Sequence, residues 1–454
     1  MKNTKKASEN PGRPRYFFFN LGCPKNLVDA ETASAGLESR GWARAADPRL
    51  ADLLVITTCA FIAEAEEESV EQILEVAAAR EEGQLLAVIG CLVSREGRVL
   101  EDLLPEVDIF LDAGSMSEIG RIASEKRSGG SPAAGRKVGR AGRLFTPAHY
   151  AYLKLADGCS NRCTYCTIPS IRGGLRSAGA DELLAEAAEL ADSGVKELIL
   201  VAQDTTAWMT ERGSGSDLPA LIESLSDLEG IRWIRLMYVN PARVDAGALS
   251  RLFAGTSLVP YLDVPIQHVS DRVLDRMGRG YGRERIEDIL GTLRCETPGV
   301  VIRTTVMTGF PGESEEDHAE LVGFLDEWRI DHVGVFAWSP ERGTAAAGLP
   351  GRLSRDVVQR RLDEITELQM DIAQEKLSSL EGEVLDVLVD RKVPPGRSGE
   401  REIWGEGRWY GQAPEIDGEV LLSGEQAEEG DMVAARVDTS GSYDLFATAV
   451  RDFN

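Results

Sequence analysis

Short apolar runs alternate along this chain with longer stretches whose apolar residues recur at helical spacing. Between residue 16 and about residue 122, the run Tyr16-Phe17-Phe18-Phe19 precedes a helical stretch at 26–40, and Leu53-Leu54-Val55-Ile56 precedes one at 63–80. An apolar run at 85–89 then precedes 96–104, and Ile109-Phe110-Leu111 ends the series. Strands alternating with helices predict βαβ units and a parallel sheet covered on both faces. The alternation resumes at 150, with strands predicted at 150–155, 198–202, 233–239, 261–266, 301–307 and 333–338 and helices at 180–192, 245–253, 283–296 and 315–328. Six such units predict a partial (β/α)6 barrel with its catalytic groups on the loops at the carboxyl ends of the strands. Residues 352–380 place Val357, Leu362, Ile365, Leu368, Ile372 and Leu377 at helical spacing, which predicts one long amphipathic helix. Beyond it, five β-type runs at 384–389, 402–409, 419–422, 432–437 and 445–450, cut by Gly, Pro, Asp and Ser, predict a small antiparallel barrel.

The class is therefore α/β. A parallel-sheet amino-terminal domain is expected at 15–124, a linker at 125–148, the partial barrel with its connecting helix at 149–380, and the small β-barrel at 381–454. The linker is rich in Gly, Ser, Ala and Arg, and its basic residues are Lys126, Arg127, Arg136, Lys137, Arg140 and Arg143.

Charge and cysteine content narrow the setting. With 75 acidic against 50 basic side chains, the 454 residues carry a formal charge of −25. Such a surface repels nucleic acid and favours a basic partner. Seven cysteines, at 23, 59, 91, 159, 163, 166 and 295, are an odd number in a long chain without a signal peptide. That argues against a secreted disulfide framework and for a reducing compartment. No apolar run approaches the roughly 20 residues that span a bilayer, and residues 1–15 read as a disordered leader, polar and basic. The expectation is a cytoplasmic protein with no membrane partner.

Three cysteines are crowded into Asp157-Gly158-Cys159-Ser160-Asn161-Arg162-Cys163-Thr164-Tyr165-Cys166, spaced C-x3-C-x2-C directly after the predicted strand at 150–155. Three thiolates on one loop can each bind one iron of a four-iron, four-sulfur cluster, and this spacing leaves the fourth iron open to a substrate. The competing reading is structural zinc. Zinc wants four ligands, and no His or Cys follows within about twenty residues to complete the tetrahedron.

Cys23, Cys59 and Cys91 each follow one of the first three predicted strands, in Asn20-Leu21-Gly22-Cys23, Thr57-Thr58-Cys59 and Ile89-Gly90-Cys91. The carboxyl ends of strands in an open parallel sheet lie on one edge, where ligands bind. Cysteines remote in sequence can therefore converge, although a lone one after a strand is usually a small buried hydrophobe. Cys295, inside the predicted helix 283–296, has no such companions and reads as structural. Gln203-Asp204, Asn240, Gln267-His268 and Thr308 are further polar residues at strand ends, where turns and caps are the ordinary explanation.

The cysteine loop, with Tyr165 directly before its last cysteine, resembles the signature of the radical S-adenosylmethionine (SAM) superfamily. From about residue 16 to its end, the order of parts resembles the methylthiotransferase family within that superfamily. The match is closest to the ribosomal-protein (RimO) branch in Asn20-Leu21-Gly22-Cys23-Pro24-Lys25-Asn26-Leu27-Val28-Asp29, Leu200-Val201-Ala202-Gln203-Asp204-Thr205-Thr206, Asp263-Val264-Pro265-Ile266-Gln267-His268 and Gly309-Phe310-Pro311-Gly312-Glu313. The tRNA branch typically has Gln-Met-Asn where this chain has Pro24-Lys25-Asn26. Departures from the family pattern are Thr57 for Asn, Ala60 for Gly and Trp338 for Tyr.

The resemblance implies a central radical SAM barrel, a carboxyl-terminal TRAM domain and two [4Fe-4S] clusters. One cluster would rest on Cys159, Cys163 and Cys166 and cleave SAM, and an auxiliary one would rest on Cys23, Cys59 and Cys91. Gln203, Asp204 and His268 are candidates for the SAM pocket. The implied reaction places a methylthio group on the β-carbon of an aspartate in small-subunit ribosomal protein twelve, with an electron donor such as a flavodoxin-type protein. Composition agrees with that substrate: residues 381–454 hold seventeen acidic and seven basic side chains, a net of −10. Binding tRNA through phosphates requires the opposite sign, so no direct tRNA substrate is expected. The rivals are a tRNA-adenosine methylthiotransferase and a non-catalytic zinc-binding adaptor on the same six cysteines.

Overall fold

The computed structural model describes residues 13–128, 145–213, 217–394 and 402–450. The leader up to residue 12 and the stretch 129–144, with Arg136, Lys137, Arg140 and Arg143 of the expected linker, lie outside the described residues. The chain divides into two units, Met1–Phe145 with Thr167–Gly173 and Thr146–Cys166 with Gly174–Asn454.

In the first unit the elements run β1 (Arg15–Asn20), α1 (Pro24–Ser39), β2 (Ala43–Arg44), β3 (Leu53–Thr58), α2 (Ala63–Ala79), β4 (Leu85–Gly90), α3 (Cys91–Glu96), α4 (Arg98–Leu103), β5 (Ile109–Asp112) and α5 (Ile119–Ser128). The strands pair in parallel in the order β2-β1-β3-β4-β5. All of β3 is buried, because successive side chains leave opposite faces. Leu53 and Val55 pack with Ala30, Ala33 and Leu37 of α1 and Ile119 of α5. Leu54 and Ile56 pack with Ile73 and Val76 of α2 and Leu100 of α4. The chain leaves β1 for β2 on one side and returns to β3 on the other, so the order reverses between β1 and β3. Open α/β sheets bind ligands outside the carboxyl ends of the strands at such a reversal.

Two features here differ from expectation. The helix expected at 96–104 is a pair of short helices broken at Gly97, the first of which starts at Cys91 itself. The last helix continues to Ser128, into the expected linker.

The elements that follow are β6 (Tyr150–Lys154), β7 (Ala156–Asp157), α6 (Ile168–Arg172), β8 (Arg176–Ser177), α7 (Ala180–Asp192), β9 (Glu197–Val201), α8 (Leu218–Ser226), β10 (Trp233–Leu236), α9 (Ala246–Gly255), β11 (Leu258–Asp263), α10 (Asp271–Met277), α11 (Arg283–Glu296), β12 (Val301–Thr308), α12 (Glu315–Trp328), β13 (His332–Ala337) and α13 (Arg355–Ser378). Of these, α6 belongs to the first unit. Six strands pair in parallel and in chain order, from β6 at one edge through β9, β10, β11 and β12 to β13 at the other. That is an open six-stranded barrel. Cys295 lies on the exposed side of α11, so it does not fill the core as a structural cysteine would.

Strands β14 (Val384–Lys392), β15 (Gly405–Trp409), β16 (Val420–Gly424), β17 (Met432–Ser440) and β18 (Leu445–Ala449) close into a small barrel in the order β14-β15-β16-β18-β17. Four of its pairings are antiparallel, and β16 with β18 is parallel. Five strands cannot alternate direction all the way round a ring, so closure requires one parallel pair.

This barrel sits against the amino-terminal ends of the larger one. Glu197, the first residue of β9, is wholly buried and accepts from Arg235 Nε at 2.8 Å and from Arg408 Nη1 at 2.7 Å. Arg408 also pairs with Asp390, which meets His149 Nε2 at 2.8 Å. Asp417 accepts from the Tyr261 hydroxyl and from Arg303, and His332, the first residue of β13, meets the Gly411 carbonyl at 2.9 Å. Buried charges persist only when paired. These pairs cross from one barrel to the other, so docking and charge compensation are the same event. The carboxyl ends of the strands remain free for chemistry.

Candidate metal centres

The C-x3-C-x2-C loop leaves the carboxyl end of β6 and is held from several sides. Thr164 N donates to the Met277 carbonyl at 2.9 Å, Thr164 Oγ1 to Arg276 O at 2.8 Å, and Ala346 N to Thr164 O at 2.8 Å. Gly278, which ends α10 at φ +70°, approaches so closely that a Cβ there would lie 2.8 Å from Arg162 O. Only glycine adopts that conformation without cost and fits the gap. Asp204, at the end of β9, ties the loop down on the other side. Its Oδ2 accepts from Asn161 Nδ2 at 2.8 Å, Asn240 Nδ2 at 3.0 Å and Arg243 Nη1 at 2.6 Å. Non-glycine residues in left-handed conformation, Tyr238 (φ 59°) and Gln267 (φ 68°), follow β10 and β11 on the same end of the barrel. Such strain concentrates at functional sites.

Arg279 is the main charge beside these sulfurs that sequence reasoning missed. Its Nη1 donates to Cys163 Sγ and to the Tyr165 hydroxyl, each at 3.3 Å, its Nε to Tyr281 Oη at 2.8 Å, and its Nη2 to Pro265 O at 3.0 Å. The Tyr281 hydroxyl is pushed up to about 12 by burial. Both tyrosines thus stay neutral and accept from the cation.

The sheet order explains the second set. Strands β1, β3 and β4 are neighbours, so the residues after them, Cys23, Cys59 and Cys91, share one edge astride the β1/β3 reversal. Cys23 is the N-cap of α1 and Cys91 the first residue of α3. Asn26 Oδ1 accepts from Cys23 Sγ at 3.4 Å and from Cys91 Sγ at 3.8 Å, while its Nδ2 donates to Thr58 O at 2.8 Å. Gly22, at φ +99°, leaves room for that amide, since a Cβ would lie 2.6 Å from Asn26 Nδ2. Thr57, one of the departures from the family pattern, accepts from Leu21 N at 3.0 Å and steadies the turn that carries Cys23. Ala60 is wholly buried in the core beneath Cys59.

The donor sets fit iron–sulfur clusters. Burial pushes the Cys59 and Cys159 thiols up and the Cys91 thiol up to about 11. Thiolates at these positions are therefore costly until a metal supplies the compensating charge. Among the described residues no three His, Cys, Asp or Glu side chains are gathered round a single ion. Thiolates that each take a separate iron have no need to be.

Of the SAM-pocket candidates, Asp204 is brought to the cysteine loop. Gln203 beside it has a buried Oε1 with no hydrogen-bond partner among the described residues, an acceptor suited to a bound donor. His268 is wholly buried: its Nδ1 accepts from Ser270 N at 3.0 Å, its Nε2 has no hydrogen-bond partner among the described residues, Asp317 lies near, and burial holds its titration down at about 3.

Comparison with known proteins adds an independent line. Residues 153–325 match the model of the radical SAM superfamily, residues 15–112 that of uncharacterized protein family UPF0004, and residues 382–450 that of the TRAM domain. The ribosomal protein uS12 methylthiotransferase RimO of Trichlorobacter lovleyi is 38% identical over 454 residues, covering 98% of this chain and 100% of that one. The protein of the same name from Anaeromyxobacter sp. (strain Fw109-5) is 40% identical, covering 96% and 93%. Among solved structures, the radical SAM methyltransferase TsrM from Kitasatospora setae, with tryptophan substrate and a SAM analog bound, shares the fold at TM-score 0.50. Its identity is 15%, over 71% of this chain and 73% of that one. With its relatives matched along nearly their whole length, the chain belongs to the RimO family of ribosomal protein uS12 methylthiotransferases.

Proposed function

We propose that this chain attaches a methylthio group to the β-carbon of an aspartate in small-subunit ribosomal protein uS12, using SAM and two [4Fe-4S] clusters. The observation that carries the reading is the presence, in one chain, of two three-thiol sets with no fourth protein ligand gathered to either among the described residues. Cys159, Cys163 and Cys166 would hold one cluster, and Cys23, Cys59 and Cys91 the other. When bound, the first cluster with SAM would supply a hydrogen-abstracting radical and the second would present the sulfur that a further SAM methylates.

The rest falls to the chain's own residues. Arg279 places a half-buried positive charge against Cys163 and fixes the faces of Tyr165 and Tyr281 beside the loop. Asp204 holds Asn161 and Arg243, so its role is to position the loop, while Gln203 offers its unpartnered oxygen to SAM. Water is kept out by the buried residues on which the loop rests, including Met277 and Phe310.

Among the described residues no helix is long and apolar enough to cross a membrane. We place the enzyme in the cytoplasm, with a flavodoxin-type protein as electron donor. The net −10 of residues 381–454 suits a basic protein substrate. The test is mass spectrometry of ribosomal protein uS12 after anaerobic incubation with the reconstituted enzyme, SAM, sulfide and a strong reductant. A gain of one methylthio group for one hydrogen, on an aspartate, is expected. Unmodified protein, with methylthiolated adenosine formed when tRNA is supplied instead, would overturn the substrate assignment.

A further inference from the structure

Two residues after the last cysteine of the loop α6 begins, and its last residue, Arg172, packs in the first unit. Thr167 Oγ1 donates to Phe61 O at 3.0 Å, just past Cys59, and Ile171 is buried in the core that also holds Cys91 and Leu92. These contacts set the direction of the Arg172 side chain, which is 1% exposed. Its Nη1 meets Asp29 Oδ2 at 2.9 Å, and its Nη2 donates at 2.8 Å to Asn26 Oδ1, the atom that Cys23 and Cys91 also share. The guanidinium lowers the Cys91 thiol against the larger effect of burial. Burying an ion pair costs several kcal/mol per ion unless its surroundings use the charge, and an iron–sulfur cluster on three thiolates is a negative object that does.

We propose that Arg172 is a positioning residue of the Cys23–Cys59–Cys91 site, whose fixed positive charge raises the reduction potential of the cluster held there and strengthens its hold on an anionic sulfur ligand. This rests on the two-cluster reading above. A cation beside a cluster stabilises its more negative, reduced state, and net charge with hydrogen bonding around the sulfurs is what sets such potentials. Asp29 works in the opposite sense, and Asn26, whose Oδ1 accepts from the guanidinium, holds that charge beside the Cys23 and Cys91 sulfurs.

The experiment uses the full chain with Cys159, Cys163 and Cys166 replaced by alanine, so that one cluster is observed alone. After anaerobic loading with iron and sulfide, its midpoint is read by redox titration followed by electron paramagnetic resonance, and its affinity for hydrosulfide by the change in that spectrum. Arg172→Gln is expected to shift the midpoint negative by about 59 mV, a tenfold fall in the reduced-to-oxidised ratio at fixed potential, and to weaken hydrosulfide binding about tenfold. Arg172→Lys should recover part of both. Asp29→Asn should shift the midpoint positive, and it serves as the test should Arg172→Gln fail to fold. Loaded variants with the parent's midpoint and hydrosulfide affinity would overturn the proposal. A parent chain that takes up no iron would instead overturn the two-cluster reading itself, and this inference with it.

Discussion

Arginine and histidine side chains do work here that their positions in the chain do not announce. Arg279 lies 116 residues from Cys163, yet its guanidinium is the cation that the sulfur meets. Replacing it with Gln leaves Cys163 without a charged donor and removes the cation from the Tyr165 and Tyr281 hydroxyls, the second of which keeps its bond to Ile266 O. Loss of such an outer partner typically costs 10–100-fold in metal affinity or activity. The expected outcome is about a tenfold or greater fall in reductive SAM cleavage, with iron lost from the first site before the second, checked by iron analysis of the Arg279→Gln chain. His268 gives a pH prediction. An unfolded histidine takes its proton near pH 6.5, and the folded one resists until about 3. Between these values the unfolded chain binds more protons, so this contribution to stability is complete above pH 6.5 and is lost as pH falls. The loss is about 2 kcal/mol at pH 5. Denaturant unfolding of the metal-free chain at pH 7 and pH 5 should show a smaller difference for His268→Gln than for the parent. The six cysteines proposed as ligands stood out in the sequence, three by their C-x3-C-x2-C spacing and three by their place after predicted strands, whereas the arginines beside them did not, because arginine is usually exposed and nothing local marks the exceptions.

Strands and helices were largely readable because burial on two faces leaves continuous apolar runs and burial on one leaves a helical stripe. The predicted helices at 180–192, 283–296 and 315–328 coincide with α7, α11 and α12. What escaped is short. Strand β2 has two residues and α10 has seven, too few to show a period. Yet α10 matters, since its end carries Gly278 and supports the cysteine loop. Gly278→Val places a side chain where 2.8 Å is available and φ is +70°. We expect a destabilisation of at least about 1–2 kcal/mol from the backbone alone, with displacement of the loop. Iron content should fall from about eight to about four per chain, the auxiliary set remaining loaded. Retention of both clusters would show that the loop tolerates the shift.

At the scale of the molecule, the small barrel is joined to the larger one by charges that neither could bury alone. Glu197 lies between Arg235 and Arg408, and removing its charge leaves buried Arg235 without a carboxylate and buried Arg408 with Asp390 alone. Breaking one side of a buried pair costs about 3–5 kcal/mol. Glu197→Gln should therefore lower the denaturation midpoint by that equivalent and speed limited proteolysis between α13 and β14. Unchanged proteolysis would show that α13 and the apolar contacts suffice to hold the barrel. The acidic surface of residues 381–454 was visible in composition, but its location was not. The structure puts that barrel at the end of the strands opposite the cysteine loop, so its charge can attract a basic substrate without lining the place of reaction.

The amino-acid sequence by itself determined the order of elements, the two thiol sets and the family, because these depend on local periodicity and on residue chemistry at fixed spacing. Only the tertiary structure decided which strands are neighbours, and hence that the reversal between β1 and β3 brings Cys23 and Cys59 to a shared edge with Cys91. It also decided that Arg172 and Arg279 are the cations beside the sulfurs, that His268 is a buried neutral ring, and that a ring of five strands closes with one parallel pair. Each of these follows from contacts between residues that are not neighbours in sequence, from burial, or from the pairing of a whole sheet. Their energies are those of burial and pairing, which exist only once the chain has folded.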